Sequence, residues 1–145
     1  MQKKKKEVTI YCDGSSLGNP GPGGWACILE YKGVKKELCG ASKQATNNQM
    51  ELTAVIEGLR ALKEPCSVTI ITDSSYVANA MNEWLDSWIQ KDFKKVKNKE
   101  LWQEFVNLQK IHDIKAVWVK GHNGHSENER CDTLARAQAQ KIKES

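Results

Sequence analysis

Two aspartates stand at equivalent points of two similar segments. Val8–Asp13 (VTIYCD) and Val68–Asp73 (VTIITD) are both apolar, β-branched runs that end on an aspartate. Because ligands gather at the carboxyl ends of strands in open α/β sheets, two parallel neighbouring strands would bring Asp13 and Asp73 together. Each aspartate taken alone could instead initiate a turn. The pair indicates an acidic site at one edge of a sheet.

Two further carboxylates lie on segments with helical spacing. Glu51 is four residues before Val55, on the apolar stripe that should face the sheet, and Asp132 lies beside Cys131 near the start of the last helix. Either charge could simply favour the dipole at the start of its helix. Carboxylates drawn together, however, stay ionised only if a cation offsets their repulsion. Hard oxygen ligands in this number favour Mg²⁺ or Mn²⁺.

The segment GHNGH, residues 121–125, places a histidine between glycines. His122 could move a proton near neutral pH, where a histidine side chain ordinarily titrates. Zinc bound by His122, His125 and Cys131 is the alternative. The sequence offers no second cysteine pair or nearby fourth ligand to complete a tetrahedral set, so the proton-transfer role is favoured.

Aromatic residues and lysines follow one another between residues 84 and 99. Trp84 and Trp88 share a helical stripe with apolar residues, which is typical of a core. Phe93 and five lysines come next, and aromatic rings beside a basic strip are what a nucleic-acid groove requires. The lysines are Lys91, Lys94, Lys95, Lys97 and Lys99. The segment is predicted to serve both packing and nucleic-acid binding.

The hydrophobic pattern predicts the element order β-β-β-α-β-α-α-β-α. This order indicates an α/β fold with a mixed sheet and helices packed on it. A polar loop is expected over residues 13–24, and Thr46 with Gln49 forms the capping box of the first helix. Predicted strands are 8–12, 25–31, 34–41, 68–72 and 114–119, and the last three helices are expected after Asp73, from Asn98 and from Ser126.

Length and composition suit one domain. The chain has 145 residues and a formal charge of +4. The domain is expected to span residues 7–143, with residues 1–6 as a flexible basic tail and a basic protrusion near residues 84–99. No apolar run reaches the roughly 20 residues of a membrane helix, and five scattered cysteines without a CxxC pair suit reduced thiols. A monomer in the cytoplasm is expected.

Five motifs, taken in order, resemble the ribonuclease HI family over about Val8–Gln140. They are YCDGSSLGNPGPGGWA, TNNQMEL, TDSSYV, VKGHNGH and ENERCDTLA. The resemblance implies a ribonuclease H-like fold, with a five-stranded sheet of order 3-2-1-4-5, and hydrolysis of the RNA strand of RNA/DNA hybrids. The chain departs from the bacterial pattern in a shorter segment Trp88–Asn98, in Gln49 for a frequent arginine and in Ser75 for a frequent glutamine.

The resemblance also implies roles for individual residues. The catalytic carboxylates and metal ligands would be Asp13, Glu51, Asp73 and Asp132, with His122 as the mobile catalytic histidine. The implied mechanism is hydrolysis with two Mg²⁺ ions, which leaves 5′-phosphate and 3′-hydroxyl ends. Substrate-binding positions would be Asn19, Asn47 and Asn48 at minor-groove edges and 2′-hydroxyls, Thr46 at a DNA phosphate, and Trp84, Trp88, Lys94, Lys95 and Lys97 along the DNA strand.

Two other functions stay open at this stage. One is a catalytically inactive module that binds hybrids, which predicts the loss of at least one carboxylate, and none is lost. The other is a different nuclease on the same fold, such as a resolvase or the cleavage domain of a larger polymerase.

Overall fold

Five strands form one mixed sheet in the computed structural model, which describes residues 5–120 and 126–145. The strands are β1 (Lys6–Ser16), β2 (Gly21–Tyr31), β3 (Val34–Ala45), β4 (Cys66–Thr72) and β5 (Asp113–Trp118). Their order is β3-β2-β1-β4-β5. β2 is antiparallel to β1 and β3, whereas β4 is parallel to β1 and β5. The predicted sheet and its strand order are confirmed.

Helices pack against the sheet in two separate core clusters. They are α1 (Asn47–Arg60), α2 (Ser75–Asn79), a π-helical segment (Ala80–Trp84), α3 (Leu85–Gln90), α4 (Lys99–Gln109) and α5 (Ser126–Glu144). The larger cluster contains residues of all the helices from α1 through α4, packed with β1, β2 and β4. The smaller cluster contains residues of α5 and β2. Within the described ranges, none of these helices combines the length and the apolar character of a membrane span.

β1 is longer than its apolar pattern predicts. The polar loop expected over residues 13–24 is wrong at both ends, because residues 13–16 pair antiparallel with residues 23–26. Ladder hydrogen bonds use backbone groups, so polar side chains do not prevent them. The parallel ladder with β4 nevertheless ends at Cys12. Asp13 is therefore the first residue of β1 beyond the end of β4.

α1 begins where the sequence predicts. The Thr46 hydroxyl accepts a hydrogen bond from the Gln49 backbone N–H (3.1 Å), and the Gln49 side chain accepts one from the Thr46 N–H (2.9 Å). Leu52, Val55 and Leu59 are fully buried against the sheet. Each such side chain contributes about 1.5–3 kcal/mol when it leaves water. This burial holds α1 firmly on the sheet.

β4 is buried on one face only. Val68 and Ile70 lie in the larger core cluster, whereas Thr69 and Ile71 are partly exposed. The nearly unbroken apolar run of residues 68–72 is typical of a parallel strand buried on both faces, and that expectation is wrong for β4. The reason is that α5 lies mainly over β1, β2 and β3 on the opposite face.

Five aromatic residues after β4 form one connected cluster: Tyr76, Trp84, Trp88, Trp102 and Phe105. Trp84 and Trp88 have ring centroids 5.9 Å apart, and Trp88 in turn lies 5.6 Å from Trp102. Trp102 is fully buried, contacts Phe105 at 5.6 Å and was absent from the sequence prediction. Aromatic pairs of this kind contribute about 0.5–1.5 kcal/mol each beyond their burial. α3 is thereby fastened to α4.

The amino-terminal boundary differs from the predicted one. β1 begins at Lys6 rather than after it, and Lys6 pairs with Glu64 at 2.9 Å. Lys5 pairs with Asp113 at 3.0 Å, at the start of β5. The last two residues of the predicted flexible tail thus belong to the fold, because acidic partners lie within their reach. Residues 1–4 lie outside the described residues.

Gly24 lets α5 rest directly on β2. A Cβ at this position would overlap the Ala135 carbonyl oxygen and lie 2.7 Å from the Ala139 nitrogen. We expect Gly24→Ala to lower the free energy of unfolding by about 1–3 kcal/mol, the usual cost of overpacking, in urea denaturation. Gly58→Ala is the control, because its Cβ would meet only side chains, the nearest being Ile10 at 3.0 Å. Equal stability of the two variants would contradict this packing.

Candidate active site

Three carboxylates from three separate elements meet beside the end of β4. Asp13 lies on β1, Glu51 on α1, and Asp73 directly after β4. One oxygen of each lies within 4.8 Å of the other two. Asp13 and Asp73 are brought together because the parallel register pairs their preceding residues, Cys12 and Thr72. The shared location that the sequence suggested for these three residues is thus present in the fold.

Glu51 reaches the other two carboxylates because Gly14 has no side chain. A Cβ at Gly14 would overlap the backbone of Met50 and Glu51. α1 therefore crosses β1 in direct backbone contact, next to Asp13. The predicted helical stripe placed Glu51 towards the sheet, but the close approach itself depends on this glycine.

Burial and mutual repulsion make it costly for these groups to ionise together. The pKa of Asp13 rises from its ordinary 3.8 to about 7, mainly because the side chain is buried and also because of the charges of Asp73 and Asp132. A hydrogen bond from the Gly14 N–H (2.9 Å) opposes this rise. Burial, followed by the charge of Asp13, also raises the pKa of Glu51 well above its ordinary value. The cluster therefore holds protons tightly unless a cation replaces them.

The chemistry of the donors fits a divalent cation. Glu51 Oε2 is buried and has no hydrogen-bond partner in the part of the chain that the structure describes. A buried polar atom without a partner is costly, and a carboxylate oxygen most of all. A cation among the three carboxylates would supply that partner and offset their repulsion. An all-oxygen set of this kind suits Mg²⁺ or Mn²⁺.

Asp132 lies near this cluster but outside the group of three. It is on α5, with its side chain 22% exposed, and its Oδ2 is 2.5 Å from Arg136 Nη2 one helical turn later. Its charge still raises the pKa of Asp13, so the two carboxylates interact. The structure thus places the fourth carboxylate at the rim of the site, paired with an arginine.

The histidine prediction falls outside the described residues. His122 and His125 both lie in the segment 121–125, for which the structure gives no description. Cys131, the third ligand of the alternative zinc site, is buried, and its thiol donates to the Tyr11 carbonyl (3.4 Å). Burial also raises the pKa of this thiol, which disfavours the thiolate that zinc requires. The zinc alternative is therefore weakened.

A groove of about 380 Å³ opens beside the carboxylates, and we call it the carboxylate groove. Its polar wall includes Asn47 and Asn48, at the start of α1. Asn47 Oδ1 accepts a hydrogen bond from the Ser16 N–H (2.7 Å), and Asn19 Oδ1 accepts one from the Asn47 N–H (2.8 Å). Neither bond uses the side-chain N–H groups. Asn19 and Asn47 are thereby oriented through their oxygens, and within residues 5–120 and 126–145 their amide N–H groups have no acceptor, so they are available to a ligand.

A second groove, of about 340 Å³, carries the predicted basic residues, and we call it the basic groove. It is lined by Tyr76, Trp88, Lys91, Lys94, Lys95, Val96 and Lys97. The lysines are exposed and Trp88 is half-buried, with its ring against Trp102. Trp84 is 40% exposed next to Trp88. The structure thus gathers Lys94, Lys95 and Lys97 on one surface, as the sequence suggested.

Comparison with known proteins agrees with this arrangement. The sequence model of the RNase H family matches residues 5–140. The chain belongs to the RNase H family. The resemblance drawn from the five motifs is confirmed, and so is the prediction of an enzyme of the ribonuclease H type.

Relatives in the RNase H family cover nearly the whole chain. The ribonuclease H of Sulfurovum sp. (strain NBC37-1) is 59% identical over 146 aligned positions, which cover 100% of this chain and 99% of that protein. The ribonuclease HI of Helicobacter pylori (strain ATCC 700392 / 26695) is 57% identical and covers 94% and 95%. Among solved structures, LC9-RNase H1, a type 1 RNase H with the type 2 active-site motif, is 31% identical. It has a TM-score of 0.89 and covers 98% of this chain and 76% of its own.

Sequence reasoning missed two aromatic residues at this RNase H site. Trp118 donates from Nε1 to the Asp73 carbonyl (3.1 Å) and so helps to hold the backbone of one carboxylate residue. Tyr76 lines both grooves. Tyr76 stands within the motif TDSSYV, so its proximity to Asp73 was a usable signal. Trp118 carried no such signal, because only strand pairing brings β5 beside the end of β4.

Stabilisation by Mg²⁺ should depend on pH. The folded protein without a cation binds the Asp13 proton more tightly than the unfolded chain does. The resulting contribution to the free energy of unfolding is fully present below about pH 4 and is lost as the pH rises through about 7. Mg²⁺ needs the deprotonated form, so we expect it to raise Tm more at about pH 8 than at about pH 5.5.

Thermal unfolding with Mg²⁺ or with EDTA over this pH range measures the effect. Asp13→Asn removes the titrating group and should unfold at a higher temperature than the parent in EDTA at alkaline pH. It should also gain little from Mg²⁺. A gain in Tm that is independent of pH would argue against a cation site at Asp13.

Proposed function

We propose that the chain is an endonuclease that hydrolyses the RNA strand of RNA/DNA hybrids with two Mg²⁺ ions and leaves 5′-phosphate and 3′-hydroxyl ends. The observation that carries the proposal is the carboxylate cluster with the unpartnered Glu51 oxygen, open to a groove with amide donors and next to a groove with lysines. Membership of the RNase H family and relatives named ribonuclease H support it.

In this proposal the carboxylates would hold the divalent cations. Asp13, Glu51 and Asp73 would provide the central ligands, and Asp132 would complete the set from α5 in place of its pairing with Arg136. Two divalent cations, when bound, supply charge stabilisation for the attacking and leaving oxygens of an in-line displacement. Mn²⁺ is an expected substitute, since it accepts the same oxygen donors.

The proton of the attacking water needs an acceptor, and the leaving 3′-oxygen needs a donor. We assign a share of this transfer to His122, on the grounds of the sequence resemblance and the ordinary pKa of histidine. The proposed reaction gives the bridging 3′-oxygen a proton and leaves the phosphate on the 5′ side of the next nucleotide.

Discrimination of RNA from DNA is assigned to the asparagines. Asn19, Asn47 and Asn48 present amide donors suited to the acceptors of the minor groove and to the oxygen of a 2′-hydroxyl, which DNA lacks. The Thr46 hydroxyl accepts the Gln49 N–H, and its own proton is not used by that bond. This proton suits a phosphate oxygen of the DNA strand.

The basic groove is assigned to the DNA strand. Lys94, Lys95 and Lys97 would neutralise phosphates, and the rings of Trp84 and Trp88 would lie against the sugars and bases. An inactive hybrid-binding module has no support from the carboxylates, since all four are present. Monomeric state and cytoplasmic location remain predictions.

A strand-specific assay tests the proposal. RNA/DNA, RNA/RNA and DNA/DNA duplexes, labelled on either strand, are incubated with Mg²⁺, Mn²⁺ or EDTA, and the ends of the products are determined. We expect cleavage of the RNA strand in the hybrid alone, only with a divalent cation, and with 5′-phosphate ends. Cleavage in EDTA, or of DNA/DNA, would refute the proposed reaction.

Asp13→Asn should abolish this cleavage without unfolding the chain. Charge stabilisation by cations contributes several kcal/mol to the transition state, so kcat should fall by about 10³-fold or more. Asp113→Asn is the matched control, because Asp113 is exposed at the start of β5, where its side chain pairs with Lys5 at 3.0 Å. Near-normal turnover by Asp13→Asn, measured on the labelled hybrid, would refute the metal assignment.

Replacing Lys94, Lys95 and Lys97 together with alanine should raise KM for the hybrid. Each lost phosphate contact should also flatten the dependence of log KM on log salt concentration, by a slope of up to about 0.9. The control replaces Lys110, Lys141 and Lys143, which are exposed and make the same change in net charge. If both triple variants show the same salt slope, net charge rather than the basic groove explains binding.

A further inference from the structure

Tyr76 forms the wall between the two grooves. It lines the carboxylate groove together with Glu51 and Asp73, and it lines the basic groove together with Trp88 and Lys94. Its ring meets Trp102 edge-on, with centroids 6.0 Å apart and an interplanar angle of 63°. The side chain is therefore in contact with the acidic site on one side and with the lysine-bearing surface on the other.

The hydroxyl of Tyr76 ties three elements together. Its oxygen accepts hydrogen bonds from Trp102 Nε1 (2.8 Å) and from Asn98 Nδ2 (3.1 Å). Tyr76 lies in α2, three residues after Asp73, whereas Trp102 lies in α4 and Asn98 immediately before it. Ring packing alone needs no hydroxyl. The two hydrogen bonds are thus what tyrosine adds at this position beyond phenylalanine.

The turn over residues 91–98, which carries the lysines, has a backbone that other contacts must impose. Four of its non-glycine residues have left-handed φ values between 52° and 61°: Asp92, Phe93, Lys95 and Asn98. This conformation costs about 1–2 kcal/mol per residue and persists only where the surroundings determine it. Phe93 is inserted into the core at one point of the turn. The Asn98 side chain, bonded to Tyr76, secures its end.

We propose that Tyr76, through Asn98, is a positioning residue that sets where the lysines of the basic groove stand relative to the carboxylates. A nucleic acid held by Lys94, Lys95 and Lys97 would then present its scissile phosphate at the acidic cluster. The inference rests on the proposed function for its substrate. The link is the hydrogen bond between Tyr76, which lies beside the carboxylates, and Asn98, which ends the turn that carries the lysines.

Two variants cut this link from opposite sides. Tyr76→Phe removes only the hydroxyl, and Asn98→Gly removes the amide while the left-handed backbone stays accessible. Each variant should raise KM for the hybrid about three- to tenfold, the range expected for one hydrogen bond. The effect on kcat should be smaller, because the carboxylates are untouched. The double variant should be no worse than the more affected single variant, since both changes break the same link.

The salt dependence of hybrid binding separates positioning from simple stability. We expect both variants to show a shallower slope of log Kd against log salt concentration, because the displaced lysines no longer meet all their phosphates. Tyr76→Phe also leaves Trp102 Nε1 without its acceptor, so it should lose stability, whereas Asn98→Gly tests the link with the Trp102 bond intact. Tyr31→Phe is the matched control, because it removes the same hydroxyl from a tyrosine at the end of β2 that lines neither groove.

The outcomes are distinct from those of the proposed function. Wild-type cleavage of the labelled hybrid decides the reaction, while fluorescence anisotropy of the same hybrid measures binding whether or not it is cut. A folded Asn98→Gly protein with unchanged KM and salt slope would overturn the positioning role. So would additive losses in the double variant, because they would show two independent contacts rather than one link.

Discussion

Ionised carboxylates repel one another, and here the fold forces three of them within 4.8 Å. The parallel register of β1 and β4 brings Asp13 beside Asp73, and the backbone contact at Gly14 brings Glu51 to both. Burial raises the pKa values of Asp13 and Glu51, so the protein alone favours protons at this point. The buried stripe of α1 and the strand ladders supply the stability that holds the groups together. A divalent cation would turn this repulsion into a driving force for its own binding, as the proposed function requires.

The basic groove likewise depends on an unfavourable arrangement that the rest of the fold maintains. Here the unfavourable element is the left-handed backbone of the turn 91–98, whereas in the carboxylate cluster it is the repulsion between charges. Positive φ values at four residues of the turn 91–98 are sustained by Phe93 in the core and by the contact of Asn98 with Tyr76. The turn that carries the lysines is thereby held at Phe93 and at Asn98. Tyr76 also lines the carboxylate groove, so the acidic cluster and the lysine-bearing surface are separated by this one side chain.

Backbone hydrogen bonds fix the orientation of two asparagine side chains near the carboxylates. Asn47 and Asn19 have their side-chain oxygens engaged by backbone N–H groups at 2.7 and 2.8 Å. Fixing the oxygen of an amide also fixes the direction of its N–H donors. Such pre-orientation reduces the entropy lost when a ligand is bound, which suits the role in recognising a 2′-hydroxyl that is proposed for these asparagines.

The sequence by itself determined the family, through five motifs in order, and the resemblance to that family implied the strand order. The sequence also singled out the three central carboxylates, because an aspartate after an apolar strand and a glutamate on an apolar helical stripe are local patterns. It also predicted the capping box at Thr46, which depends only on residues three apart. Long-range contacts decided the rest. The extension of β1 past Asp13 depends on pairing with β2. The interaction of Asp132 with Asp13 depends on how α5 packs against β1, and the role of Tyr76 depends on donors from Asn98 and Trp102. These features join residues far apart in the chain, and local pattern carries no information about such distances until the chain is folded.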